Sequence, residues 1–237
     1  MAGSQEIRHL GTLPEFREAV KLEKEIWGFE DIELLPVRLF VAAKEIGGQV
    51  IGAFDGERMI GFLLAIPGLK KGTTYLHSHM MGVLPEYRNA GVGRELKLEQ
   101  RRDALARGMH LVEWTFDPLE LKNAFFNIER LGAIVRRYVL NQYGTTSSHL
   151  HGGLPTDRCV AEWHLDCERP PAPEIVDRIS CPNEIADIRR ADPKRAREIQ
   201  KGMGEKFLNG FGRGLAVVGF ERSEHSGTYL LAPWDSK

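Results

Sequence analysis

Residues 81–96 read Met81-Gly82-Val83-Leu84-Pro85-Glu86-Tyr87-Arg88-Asn89-Ala90-Gly91-Val92-Gly93-Arg94-Glu95-Leu96. A strand pattern ends at Val83, a proline-bearing turn follows, and Arg88-x-x-Gly91-x-Gly93 leads into a helix. Physically this is an anion cradle. Glycines let backbone N–H groups approach a phosphate without side-chain hindrance. A helix N-terminus adds unpaired donors and the positive end of a dipole. Arg88 and Arg94 add charge at the rim. Other glycine loops do not fit. A P-loop needs Gly-Lys-Ser/Thr, which does not follow Gly93, and a dinucleotide fingerprint needs a third glycine where Leu96 stands.

The flanking sequence alternates strand and helix signals. Upstream, residues 7–10 suggest a short strand. Thr12, Pro14 and Glu15 form a capping-box start for a helix carrying Phe16, Val20 and Trp27. A second helix is expected over 37–46, stopped by Gly47-Gly48. Residues 50–54 and 59–66 flank Asp55-Gly56, a hairpin turn, and 75–83 is a third strand. Downstream, a helix over 91–107 is followed by a strand at 110–116, a helix at 119–131, a strand at 133–140 and another at 158–165. Pro170-Pro171-Ala172-Pro173 is a stiff linker. It divides a core of residues 1–168 from an extension over 174–237. In the extension Asp192-Pro193 opens a helix, and 215–220 with 228–231 form a hairpin. The expected fold class is α/β (α+β), a mixed, mostly antiparallel sheet flanked by helices, with a C-terminal helix and hairpin added.

Composition narrows the function classes. The 237 residues are 42% hydrophobic and 27% charged, which suits a globular chain with a real core. Lys and Arg total 32 against 33 Asp and Glu. That balance argues against nucleic acid as the main partner. No apolar run reaches the roughly 20 residues of a spanning helix, and Met1 to Glu6 has no apolar signal core, so neither membrane association nor secretion is expected. The three cysteines, Cys159, Cys167 and Cys181, are odd in number and form no C-x-x-C pair. A cytoplasmic location and no structural metal are expected.

The segment around Gly91 resembles motif A of the GNAT (Gcn5-related N-acetyltransferase) superfamily, whose signature Gln/Arg-x-x-Gly-x-Gly/Ala falls on Arg88, Gly91 and Gly93. Val83-x-Pro85-x-Tyr87-Arg88 resembles its common lead-in. The element order over 7–165 is similar to a complete core of that fold. Trp114 to Pro118, Arg130 to Ala133 and Gly153 to Arg158 are similar to a long acetyltransferase subgroup. The resemblance implies an acyl-CoA-dependent N-acyltransferase using acetyl-CoA or a related acyl-CoA, succinyl included, as co-substrate, without metal. The pyrophosphate would sit on the N–H groups of Arg88, Asn89, Ala90, Gly91, Val92, Gly93 and Arg94. The pantetheine arm would pair with Met81, Gly82 and Val83, where an N–H polarises the thioester carbonyl. A neutral amine would attack directly, which requires a base.

His77 and His79 are candidates for that base. Simple alternation puts them on one face with Met81 and Val83, and histidine titrates near neutrality. Glu113 on the next strand is the carboxylate alternative. Further on, the family pattern Asn-x-x-Ala-x-x-Phe-Tyr-x-x-x-Gly-Phe is kept only at Ala124 and Gly132. The position of its acid-donating tyrosine is taken by Ile128, and Tyr138 and Tyr143 are the substitutes. Asn123 and Asn127 remain as contacts for the pantetheine arm. By the resemblance, the acceptor lies against 26–38 and against the loop 144–157, which offers Thr145, Thr146, Ser147, Ser148, His149 and His151. His149 and His151 alone make a weak metal pair. Trp27 and Phe29 are either apolar walls or core. Arg136, Arg137 and Arg158 either meet a carboxylate or form ion pairs. The expected acceptor is a small-molecule amine, an amino acid among the options, and a homodimer is compatible with the chain. A non-catalytic acyl-CoA-binding module and a scaffold protein are the alternatives.

Overall fold

The computed structural model describes residues 5–144, 153–166 and 174–234. The loop donors over 145–152, Cys167 and the proline linker lie outside them. The described residues pack as two compact units, one of residues up to Glu113 and one from Trp114 onward. The division expected at the proline linker falls on residues outside the described ones.

The first unit begins with β1 (Glu6–His9), followed by α1 (Leu13–Trp27) and α2 (Val37–Glu45). The capping box forms as read: Glu15 N–H donates to Thr12 Oγ1 and Thr12 N–H donates to Glu15 Oε2. Gly28, at φ 66°, ends α1 in the left-handed region that glycine tolerates best. The helix buries Phe16, Ala19, Leu22 and Ile26. The strands β2 (Gln49–Asp55), β3 (Arg58–Lys70) and β4 (Thr73–Val83) form an antiparallel meander turned at Asp55-Gly56 and at Lys71-Gly72. A 3₁₀ turn at Pro85–Tyr87 leads to α3 (Val92–Ala106), and β5 (Leu111–Phe116) starts beside β4, parallel to it. The order here is β1-β2-β3-β4-β5. Helix α1 packs on one face, where Trp27 meets Phe62 edge-on. Helix α3 covers the other face, where Lys97 and Gln100 meet Ser78 and Gln49.

One departure from regular pleating governs this unit. Leu64 pairs with Met80, but Ala65 pairs with Ser78, so His79 is an extra residue on β4. The alternation therefore slips. Ser78, Met81 and Val83 face α3, while His77, Met80 and Gly82 share the α1 face with Ile66, Leu64 and Phe62. The expectation that His77 and His79 share a face with Met81 and Val83 is corrected by this bulge.

The second unit carries α4 (Leu121–Phe125), a π-helical turn (Phe126–Arg130), β6 (Ile134–Val139), β7 (Arg158–His164), β8 (Asp177–Pro182), α5 (Ile185–Ala191), α6 (Pro193–Gly212), β9 (Leu215–Arg222) and β10 (Ser226–Pro233). Its strand order is β7-β6-β9-β10-β8. The helix expected over 119–131 is thus shorter and wider in its second half. Asp192 caps α6 through Arg195 N–H, and the helix runs through Gly202 and Gly204. Gly204 lies against the Tyr138 ring, so a methyl there would come within about 3.1 Å of it. Tyr138, Phe207, Phe220 and Tyr229 form the aromatic core. Strand β8 and helix α5 have no counterpart in the sequence reading.

The Glu15 carboxyl gives α1 a pH dependence. Partial burial pushes it up, but hydrogen bonds from Gly11, Arg8 and Thr12 outweigh that and hold it near 2, against an ordinary 4.5. A depressed carboxylate stabilises the fold above its unfolded value, and that contribution is lost as pH falls toward the folded value. Glu15→Gln is therefore expected to lower stability by about 1 kcal/mol at pH 7. In thermal unfolding from pH 7 to pH 2, the gap to wild type should close below about 4.5.

Candidate functional site

The glycine loop is built by pinning its ends and leaving its middle open. Leu84 is buried and its N–H donates to Ile60 O. The Tyr87 hydroxyl donates to Asp55 Oδ2 at 2.8 Å, and Arg58 donates to Glu86 at 2.7 Å, so the β2–β3 turn anchors the 3₁₀ turn. Arg88 Nε donates to the carbonyl of Val83 at 3.3 Å, tying the loop to the end of β4. Asn89 and Gly91 then take positive φ, 64° and 87°. Gly91 is the N-cap residue of α3 and supplies no side-chain cap. A methyl on Gly91 would meet nothing within 4 Å, so the space beside the first turn of α3 is open. Gly93 faces Met81 and Val83, where a methyl would reach Met81 Cε at 3.6 Å. Arg88, Asn89, Ala90 and Arg94 are exposed, Gly93 is half-buried and Val92 is buried beneath the loop. The segment read as a phosphate cradle thus has its backbone arranged for an anion.

Strand β4 supplies the second element. Its pairing with β5 is confined to Leu76 with Val112 and His77 with Glu113. Beyond His77, among the described residues, 78–83 pair with β3 alone, leaving their other edge for an extended ligand. Gly82 is where α1 comes closest: a methyl there would lie 2.5 Å from Trp27 and 2.8 Å from Ile26. Trp27 is therefore packed against Gly82 and Phe62, and it also stacks with Phe29 at 6.2 Å. The core reading of Trp27 is met on the side of the ring that seals α1 to β4, and Phe29 stacks on it as well.

The bulge groups the three titratable candidates. The His77 and His79 rings lie 5.9 Å apart. Glu113 is the register partner of His77 and is 3% exposed. Its Oε1 accepts from Lys70 Nζ at 2.6 Å. Lys70 had no place in the sequence reading, since it stands at the far end of a long hairpin. Burial holds the His79 imidazole below its ordinary value, so it is neutral at pH 7. In the loop before α2, both oxygens of the buried Glu23 carboxylate accept from Leu35 N–H, at 3.2 and 3.1 Å. Burial pushes Glu23 up to about 7, with that N–H opposing.

In the second unit the amide of Asn127 is 2% exposed, and its Nδ2 lacks a hydrogen-bond partner among the described residues. It sits in the π-helical turn, a distortion often found at functional positions. Asn123 is exposed on α4. The substitute tyrosines are engaged elsewhere. Tyr138 donates to Asp157 and is stacked on Phe207, and burial first, then the Asp157 charge, drives its pKa far above the ordinary value. Tyr143 shares a 2.9 Å hydrogen bond with Thr115. Arg136 and Arg137 both pair with Glu162, the ion-pair alternative. Arg158 is buried, with Tyr143 against its guanidinium. Asp157 and Thr156 close the stem of the loop through Asn141, Tyr143 and Gly144.

A mixed sheet between helices, with a glycine loop running from a splayed strand into a helix, is the fold of an N-acetyltransferase. The chain belongs to the acetyltransferase (GNAT) family, which matches residues 13–132, half of its length. No curated protein sequence matches it. Among solved structures, NAA60 of Arabidopsis thaliana in complex with acetyl-CoA is similar with a TM-score of 0.57 at 15% identity, over 69% of this chain and 100% of that one. The ribosomal-protein-S18-alanine N-acetyltransferase of Escherichia coli gives 0.53 at 17%, over 71% and 98%. Ard1 from Thermoplasma volcanium gives 0.51 at 12%, over 67% and 96%. At these identities the likeness is one of fold.

Gly91→Asp tests the cradle. A carboxylate would enter the open space beside α3 and repel a phosphate, and a side chain would be strained at this φ. The stabilisation given to wild type by free CoA in thermal unfolding should vanish, while circular dichroism shows the fold retained.

Proposed function

We propose that this acetyltransferase moves an acetyl or related acyl group from acyl-CoA to the primary amine of a small molecule, an amino acid being one such acceptor. The observation that carries the reading is the grouping of His77 and His79, whose rings lie 5.9 Å apart on β4, with Glu113, the register partner of His77 on β5. The groups of the first unit fit acyl-CoA: a cap-free helix start for phosphates and a free strand edge for an amide-bearing arm. When bound, the co-substrate supplies an activated acyl thioester.

The remaining chemistry falls to the chain. The N–H groups of Arg88 and Arg94 are taken by Pro85 O and Gly91 O, so the phosphates fall to the N–H groups of 89–93 with the two arginine side chains at the rim, and backbone groups near Met81, Gly82 and Val83 bind the arm and the acyl carbonyl. The amine nitrogen forms a bond to the carbonyl carbon, the carbon–sulfur bond breaks, and the sulfur leaves as thiolate. His77 takes the proton released by the amine. Glu113, anchored by Lys70, stabilises the resulting imidazolium. Neutral His79 adds no competing charge. A thiol with a pKa of roughly 8.5 leaves near neutrality without a tyrosine acid. A cytoplasmic setting is part of the same proposal and rests on the sequence, whose three cysteines form no C-x-x-C pair.

A second reading, transfer to an amino group of a protein or peptide, is favoured by the ribosomal-protein-S18-alanine N-acetyltransferase that shares the fold. The test is CoA release with a panel of amino acids, small amines and peptides with free N-termini. Release with small amines supports the proposal, and release with peptides alone overturns it. Acetyl-CoA at about 100 times its dissociation constant should stabilise by about 2.7 kcal/mol, raising the unfolding midpoint by roughly 5–10 °C. His77→Ala should lower turnover at pH 7 by about 10²–10⁴-fold with acetyl-CoA affinity unchanged. Unaltered turnover would remove His77 as the base.

A further inference from the structure

Beneath the bulge lies a lysine in the interior of the first unit, its amine pushed down to about 7 by burial. Lys97 of α3 is 2% exposed, and its Nζ donates to Ser78 Oγ and to Gln100 Oε1, each at 2.9 Å. Gln100 Nε2 donates to Gln49 Oε1, and Gln49 Nε2 donates in turn to Gln100 O and to Asp103 Oδ2. Ser78 is the residue immediately before the extra residue of β4, and it is 4% exposed. A buried ammonium is costly unless it is well paired. An apolar residue would cover this face of β4 at lower cost, so the lysine calls for another explanation.

That explanation is geometric. A strand with one surplus residue has a competing arrangement in which the surplus is taken up elsewhere and every later side chain changes face. Holding Ser78 on the α3 side fixes where the slip occurs. His79 then falls beside His77, and Met81 and Val83 fall against Gly93. We propose that Lys97 is a positioning residue for acyl transfer: through Ser78 it locks the β4 bulge, and the bulge sets the placement of His79 beside His77 and of the free strand edge. One helix face thereby joins the glycine loop, through Gly93, to the candidate base, through Lys97. The proposal rests on the His77 face being the reacting face, and its test is read partly without activity.

The experiment uses the full chain as wild type, Lys97→Met, Ser78→Ala and the double variant. The first readout is the NMR titration of the histidine ring protons. The titratable neighbour shown beside His79 is His77, which faces Glu113 with its partner Lys70 and shares its strand face with Tyr75; on the far side of β4 are Lys97 and Asp103, and all but Lys97 are left intact. Releasing the bulge should move the His79 titration toward the ordinary histidine value in both single variants and by the same amount in the double one. The second readout is steady-state kinetics. The expected result is a kcat lowered by about tenfold to a hundredfold with KM for acetyl-CoA raised as well, because the strand edge moves with the bulge, and no further loss in the double variant. If Lys97→Met proves unstable, Ser78→Ala carries the same prediction alone. An unmoved His79 titration, or losses that multiply in the double variant, overturns the proposal. If His77→Ala keeps full turnover while the His79 titration still moves, the base assignment fails and the lock on the bulge stands.

Discussion

A strand with one residue too many cannot keep all of its side chains on the faces that alternation assigns. In this chain the surplus falls at His79 of β4, and much of the first unit follows from it. Before the slip, His77 shares a face with Glu113, and Leu76 opposes α3 through the sheet interior. After it, Gly82 turns toward α1 and admits the Trp27 ring, while Met81 and Val83 turn toward α3 and meet Gly93. A regular strand would send Gly82 to α3 and point two larger side chains at α1. The glycine at position 82 and the glycine at position 93 are both read by this single irregularity.

The local grammar of the chain was legible. Thr12 and Glu15 mark a helix start by their spacing, Asp55-Gly56 marks a hairpin, and Asp192-Pro193 marks another helix start, because each is a short-range device closed within a few residues. The glycine loop belongs to the same class. The bulge was not legible, since a surplus residue is defined against a partner strand and leaves no mark on its own strand's composition. Lys70 was missed for a related reason: only the long antiparallel run of β3 and β4 brings it back to Glu113. Strand β8 was hidden because Asp177–Pro182 alternates over few residues beside a proline-rich stretch. In α6, glycines that weaken a helix on propensity are tolerated because packing wants them, Gly204 lying against Tyr138 and Gly210 against Leu231.

Buried charge is distributed unevenly between roles. In the second unit Arg189 reaches Asp117 and Glu120 and holds the turn from β5 into α4, while Asp117 also accepts from Leu119 N–H. Asp157 accepts from Asn141 N–H and from Tyr138. The Trp-Thr-Phe-Asp-Pro and Thr-Asp-Arg segments, singled out by resemblance, are therefore hydrogen-bonded corners that shape the backbone. In the first unit the buried groups Glu23, Glu113 and Lys97 each bear on a loop or strand that the reaction is proposed to use.

The strand order of the second unit has a consequence for biosynthesis. Its order β7-β6-β9-β10-β8 places β9 beside β6, a strand made much earlier. The first unit is contiguous in its described residues and can close as soon as Glu113 clears the ribosome. The second cannot, because β6, paired with β7 on one side, lacks its other neighbour until residues past 215 are translated. At about 5–20 residues per second, that leaves β6 with an open edge for on the order of ten seconds. During that interval the nascent chain carries a finished half and an adhesive one, and a nascent-chain chaperone would find its binding surface in the latter.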